Sequence, residues 1–315
     1  MTTRTTFDRS NTRLTDAGLE TVLIFEDGFD LPEFAAFPLV CDAVGREALT
    51  RYYCRFVELA DSEDVEVVLD TPTWRASATW GARLGFGPDD LRAVNTEAVE
   101  LLHQIRKSVE TDTPVLISGC VGSRTDGYRG DDRIATEAAR AYHRSQVGTL
   151  KEAGVDLVTA LTMTYADEAA GVALAARDVG VPVVISFTVE TDGRLPSGES
   201  LREAIELVDG ASGNYPIHFG INCAHPDHFV DVLDPAEEWT RRIGLVRSNA
   251  SRLSHAELDE AEELDAGDPH EWGGDVAALH AVLPGLCTIG GCCGTNHSHI
   301  EAAARASANA ARVGL

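Results

Sequence analysis

The chain has 315 residues, enough for one large domain or two ordinary ones, and its 44% hydrophobic and 24% charged residues supply a sizeable globular core. Against 26 Lys and Arg stand 51 Asp and Glu, a net charge of −25. That field repels phosphate backbones and anionic lipid, which argues against nucleic-acid and membrane-surface binding. Lys107 and Lys151 are the only lysines, a usage that suits either a high-salt cytoplasm or a GC-rich genome. No apolar run approaches the ~20 residues of a membrane span, and residues 1–12 read as a polar arm without a signal sequence. Seven cysteines without a secretory signal read as reduced thiols or metal ligands rather than a disulfide framework, so the expected location is cytoplasmic.

From residue 13 onward, short apolar runs alternate with longer amphipathic stretches, with no internal repeat and no linker between them. The expected strands are 13–18, 65–71, 115–120, 156–162, 181–189, 218–223, 244–249 and 286–291. Runs such as Val183-Val184-Ile185 fit strands buried on both faces of a parallel sheet. Apolar spacing of three and four predicts helices over 89–109, 131–153, 164–178, 200–208, 274–282 and 297–313, with Gly154 closing the second. Eight strands with helices between them predict an α/β fold, a single-domain (β/α)8 TIM barrel over residues 13–315. A doubly wound sheet would carry a Gly-rich dinucleotide turn after its first strand, and Gly119-x-x-Gly122 is too weak to serve. Residues 251–275 form an acidic, turn-rich insertion between strands seven and eight, read as a solvated helix and loop or as a lid over the barrel mouth.

Cys223 ends the sixth strand, and Cys292 and Cys293 end the eighth. On a barrel, these three thiols lie at the C-terminal mouth, where such folds place their sites. Three thiolates with one open position suit a catalytic Zn²⁺, and soft sulfur ligands favour zinc over magnesium or calcium. Such a site would turn an entering thiol, mostly protonated at neutral pH, into a thiolate. The competing explanation is three core cysteines. Cys41, Cys54, Cys120 and Cys287 read as packing residues, with Cys120 also ending a strand.

The run Gly290-Gly291-Cys292-Cys293-Gly294-Thr295, with Asn222-Cys223 upstream, resembles the homocysteine S-methyltransferase family. The likeness extends to Asp16-Ala17-Gly18 at the first strand end, to Thr71-x-Thr73-Trp74 after the second and to Ser248-Asn249-Ala250 after the seventh. The resemblance implies a zinc-dependent methyltransferase with Cys223, Cys292 and Cys293 as zinc ligands and as the catalytic set. It also implies an acceptor pocket formed by Asp16, Ala17, Gly18, Thr71, Thr162 and Asn222, the first three holding the amino-acid end. The implied reaction moves a methyl group from a small sulfonium donor, S-methylmethionine or S-adenosylmethionine, to homocysteine, giving methionine. A chain filled by one barrel leaves no room for folate or cobalamin domains, and betaine-using relatives carry further C-terminal segments.

The family's fourth strand ends in Glu-Thr, whose acid meets the acceptor's amino group; here the pair is Leu161-Thr162. Either Glu190 or Asp70 supplies the acid, or the acceptor is another thiol or selenol. A zinc- or thiol-binding protein without turnover is the reading from a different class, and a closed four-ligand site would favour it. Arg124 or Arg129 is a candidate for a substrate carboxylate, and Trp74 or Trp80 for a sulfonium. His225 and His228 read as supporting or surface residues, and His297-x-His299 as the start of a helix capped by Asn296 or Thr295.

Overall fold

Parallel strands covered on both faces need unbroken apolar, β-branched runs, and in the computed structural model of the chain those runs close into one barrel. The structure describes residues 12–261 and 263–313, so the polar arm of residues 1–12 lies outside the described residues except for Thr12. The strands are β1 (Arg13–Thr15), β2 (Glu66–Asp70), β3 (Val115–Val121), β4 (Leu157–Met163), β5 (Val183–Thr188), β6 (Phe219–Asn222), β7 (Ile243–Ser248) and β8 (Thr288–Gly291). All pair in parallel in chain order, and Leu14 of β1 faces both Val67 and Ile289, which closes the ring. The chain is a single-domain (β/α)8 barrel. Inside it, Val68, Leu157, Val184 and Leu245 make an apolar layer beneath the polar side chains of the mouth, as barrel interiors are filled in layers.

The outer ring is α1 (Ala43–Ser62), α2 (Pro88–Ser108), α3 (Thr136–Ala153), α4 (Ala166–Val179), α5 (Leu201–Ser212), α6 (Pro269–Ala278) and α7 (His297–Val313). The first of these is absent from the sequence expectation. Its Tyr52, Tyr53, Phe56 and Val57 have weak helix propensity, yet all four are buried in the core. Asp42 caps it, accepting the Gly45 amide at 2.9 Å. After β6 the chain makes three 3₁₀ turns, Pro226–His228, Val230–Val232 and Glu238–Arg242, in place of a long helix.

The acidic segment 251–275 is divided between two structures. Its first part forms a short helix, His255–Glu260, with a reciprocal cap between Ser254 and Glu257. Its last part belongs to α6, where buried Trp272 donates its indole N–H to the Asn249 carbonyl at 2.8 Å. Among the described residues, no helix is long and apolar enough to cross a membrane.

Candidate active site

Strand ends aim the site. Cys223 follows β6 with φ 55°, in the left-handed region that few non-glycine residues adopt, and its amide is tied to the Arg247 carbonyl at 3.1 Å. Cys292 and Cys293 sit in a tight turn after β8. There Thr295 donates its amide to the Cys292 carbonyl at 3.1 Å, and Gly294, at φ 80°, takes a conformation suited to glycine. Gly18 packs so closely under this turn that an added methyl would collide with the Cys292 carbonyl.

The three thiols converge, their sulfurs all within 4.8 Å of one another. Cys223 and Cys292 face one another with Cα atoms 5.5 Å apart. The sulfurs fit a metal ion: the donors are soft, and among the described residues no His, Asp or Glu joins their cluster to close it. The Tyr128 hydroxyl lies 3.4 Å from the Cys293 sulfur and 3.8 Å from the Cys223 sulfur.

Below the thiols is a small, open cavity of about 70 Å³. Every residue expected for the acceptor lines it: Asp16, Ala17, Gly18, Thr71, Thr162 and Asn222. Several of these also hold the backbone. Asn222 accepts the Thr162 amide at 3.0 Å and the Ser186 hydroxyl at 2.7 Å, fixing Thr162 at φ 60°. A bulge in β4 between Ala160 and Met163 accompanies that turn and presents Leu161 to the cavity. Thr71 accepts the Cys120 amide at 2.9 Å, and Gly18 has already given its amide to Thr295.

The dominant charge was not legible in the sequence. Arg247 of β7 is buried in the mouth, 2.7 Å from Asp16 and paired also with Asp70. Its remaining N–H groups donate to the Gly291 and Ala17 carbonyls, each at 3.0 Å. Two carboxylates share one guanidinium. Burial pushes the Asp16 carboxyl up to about 7 despite Arg247, and burial also raises Asp70. Half-buried Glu20 lines the same cavity, its carboxyl likewise raised by burial. Three carboxyls thus face one arginine, and burial favours the neutral form of each.

Other candidates fall elsewhere. Glu190 faces His255 Nδ1 at 3.2 Å rather than the cavity, so of the two stand-in acids only Asp70 lines it. Arg124 pairs with Asp132 and Arg129 with Asp131, each at 2.8 Å, and neither lines the cavity. Trp74 does line it, whereas buried Trp80 donates to the Ser123 carbonyl. His225 is buried beside Asp227, and His228 contacts the Arg252 carbonyl. Asn296 accepts the Ser298 amide at the start of α7. Cys41 is exposed, unlike the buried Cys120 and Cys287, and Cys120 also lines the cavity. Tyr128 was missed because it lies in a polar loop, and His255 because it opens a helix of only 6 residues, too short to show apolar periodicity.

A parallel barrel with its reactive side chains gathered at the C-terminal mouth has the layout of a barrel enzyme. The homocysteine S-methyltransferase family model matches residues 14–307. The chain belongs to that family and is a methyltransferase. It is 29% identical over 252 residues to an Escherichia coli homocysteine S-methyltransferase, covering 74% of this chain and 77% of that one. A selenocysteine Se-methyltransferase of Brassica oleracea is 27% identical over 210 residues, 62% of this chain and 58% of that one. The fold is shared with the E. coli homocysteine methyltransferase MmuM in its oxidised form, at TM-score 0.74, 20% identity and coverage of 93% and 94%. The metallated form of MmuM aligns at TM-score 0.72 and 20% identity, covering 95% of this chain and 97% of that one.

Proposed function

We propose that this protein transfers a methyl group from a small sulfonium, S-methylmethionine or S-adenosylmethionine, to the thiol of homocysteine, giving methionine. The observation that carries the reading is the meeting of three cysteine sulfurs beside a cavity lined by Asp16, Glu20 and Asp70. Cys223, Cys292 and Cys293 would hold a zinc ion, with Cys223 and Cys292 as thiolates. When bound, zinc would lower the pKa of the acceptor thiol, so that it enters the reaction as a thiolate at neutral pH.

The chain's own residues bind and orient. Asp16 and Asp70 attract the acceptor's ammonium, doing the work expected of an acid at Leu161, while Arg247 limits their mutual repulsion. Asn222 and Thr162 form a fixed wall, so the acceptor sulfur is presented rather than searched for. The thiol's proton passes to solvent. A new sulfur–carbon bond forms as the donor's carbon–sulfonium bond breaks, and the donor leaves as a neutral thioether. The requirement for three reduced cysteines favours the cytoplasm. Both partners are small molecules.

A second acceptor is favoured by one feature, the apolar Leu161 on the chamber wall. It suits a thiol or selenol held less strongly through its amino group. The test is methionine formation from homocysteine and S-methylmethionine or S-adenosylmethionine by the zinc-loaded protein, with Cys292→Ala as the blank. Methionine above the blank supports the homocysteine reading. No methionine, with transfer to selenocysteine instead, would replace it by the selenol reading.

A further inference from the structure

On the outer side of the barrel lies a cavity of about 440 Å³, set between the short helix Ala78–Arg83 and helices α2 and α3. It shares no lining residue with the cavity below the thiols. A volume of that order suits a small molecule.

Its walls and its floor differ in chemistry. Ala82, Phe86 and Leu91 give the walls a carbon surface, and Tyr142 adds a ring. Among the described residues that line it, none is Asp, Glu or Lys, in a chain with 51 Asp and Glu. The lining arginine, Arg92, is exposed and paired with Glu152 at 3.1 Å.

The floor is made of two buried amides, Asn95 and Gln146. Asn95 donates from Nδ2 to the Ala76 carbonyl at 2.9 Å and to the Leu91 carbonyl at 2.8 Å. Carbonyls only accept, so this amide has one orientation. Its Oδ1 therefore receives Gln146 Nε2, at 3.2 Å, and the same nitrogen donates to the Thr73 carbonyl at 2.9 Å. Gln146 Oε1 is left buried with no hydrogen-bond partner. His143 also lines the cavity: its Nε2 faces Glu168 at 2.8 Å, and its buried Nδ1 has no partner. Buried polar atoms are almost always satisfied, and one that is not marks a missing partner. Through Thr73 and Ala76 the two floor amides also hold residues 71–77, the segment that carries Thr71 and Trp74 to the cavity below the thiols.

We propose that this cavity is a ligand site separate from the thiols, that it takes a neutral aromatic molecule donating a hydrogen bond from its buried end to Gln146 Oε1, and that its occupant stiffens residues 71–77. Neutrality follows from the floor, where a buried charge would meet no opposite charge among the lining side chains. A donor on Oε1 completes the Gln146 amide and so fixes the group that grips the Thr73 carbonyl. The inference does not depend on the methyl-transfer reading.

The test pairs indole, whose ring N–H can donate, with 1-methylindole, which keeps the rings and lacks the donor. Titration of the full chain followed by ligand NMR should show indole binding about tenfold tighter. Ala82→Trp, at an exposed wall position, fills the space and should weaken indole by about tenfold or more. Gln146→Leu should bring the two probes within about twofold of one another. Hydrogen–deuterium exchange of residues 71–77 should slow by about threefold or more at saturating indole, and should keep its free rate when the same indole is added to Ala82→Trp. The probe pair and Ala82→Trp leave the Gln146 amide in place, so the test stands even where Gln146→Leu does not fold. Absence of indole binding, equal affinity for the two probes, undiminished indole binding in Ala82→Trp, or exchange of 71–77 unchanged by saturating indole would each overturn the proposal.

Discussion

Two chambers meet at Cys293, the inner cavity below the thiols and an outer one above them, and they are built on opposite principles. The inner one is walled by strand ends and held by interlocked bonds: Arg247 to Asp16 and Asp70, and Asn222 to Thr162 and Ser186. The outer one is walled by the connection from β7 to α6 and by short turns, with exposed Phe25, Phe34 and Leu264. Side chains that support the barrel and the site together cannot change without cost to both. Exposed side chains on the connection from β7 to α6 can change with little cost to the fold.

Variants on the two sides should separate accordingly. Cys292→Ala removes a shared element of the thiol cluster and should lower turnover on the order of a thousandfold or more, with bound zinc falling below one equivalent by elemental analysis. Full turnover in that variant would detach the chemistry from the cluster. Arg247→Met leaves Asp16 and Asp70 buried without their cation and should cost about 3–5 kcal/mol in urea unfolding. Combining it with Asp70→Asn should restore part of that loss. If the single variant is as stable as the wild type, the inner chamber is not held by these charges.

Asp16 offers a pH test. Folding raises its carboxyl from 3.8 to about 7, chiefly by burial. The folded chain therefore keeps a proton that the unfolded chain releases. This group's contribution to stability is fully present below 3.8 and is lost as pH rises through about 7. Ammonium binding runs the other way, because it needs the ionised acid. Acceptor KM should fall as pH rises toward about 7 and level off above it, while Asp16→Asn should show a raised KM without that slope. An unchanged slope in Asp16→Asn would assign the ionisation to another group. The smallest effect belongs to the outer side, where Phe25→Ala should shift unfolding stability by less than about 0.5 kcal/mol. A larger loss would make the outer wall part of the core after all.

How much was legible in the sequence follows the same division. Strand positions came from uninterrupted apolar runs, and the three thiols stood out because cysteines rarely gather at two strand ends by chance. Arg247 was not legible, since one arginine inside Leu245-Val246-Arg247-Ser248 looks like an outward-facing polar residue. Its partner Asp70 lies 177 residues away, and only barrel closure brings them together. Helix α1 escaped notice because Gly45 and its aromatic and β-branched residues favour other local structure, which tertiary burial overrides. Tyr128 owes its place to loop geometry and His255 to the first turn of a 6-residue helix, and neither carries a periodic signal.

The central claim is that the acceptor's sulfur joins Cys223, Cys292 and Cys293 at one metal ion. X-ray absorption at the zinc edge, with and without homocysteine, tests it most directly. The account predicts three protein sulfurs on zinc in the free protein and a fourth when homocysteine is added, with a zinc–selenium signal when selenohomocysteine replaces it. A sulfur count that does not change on adding either acceptor would contradict it.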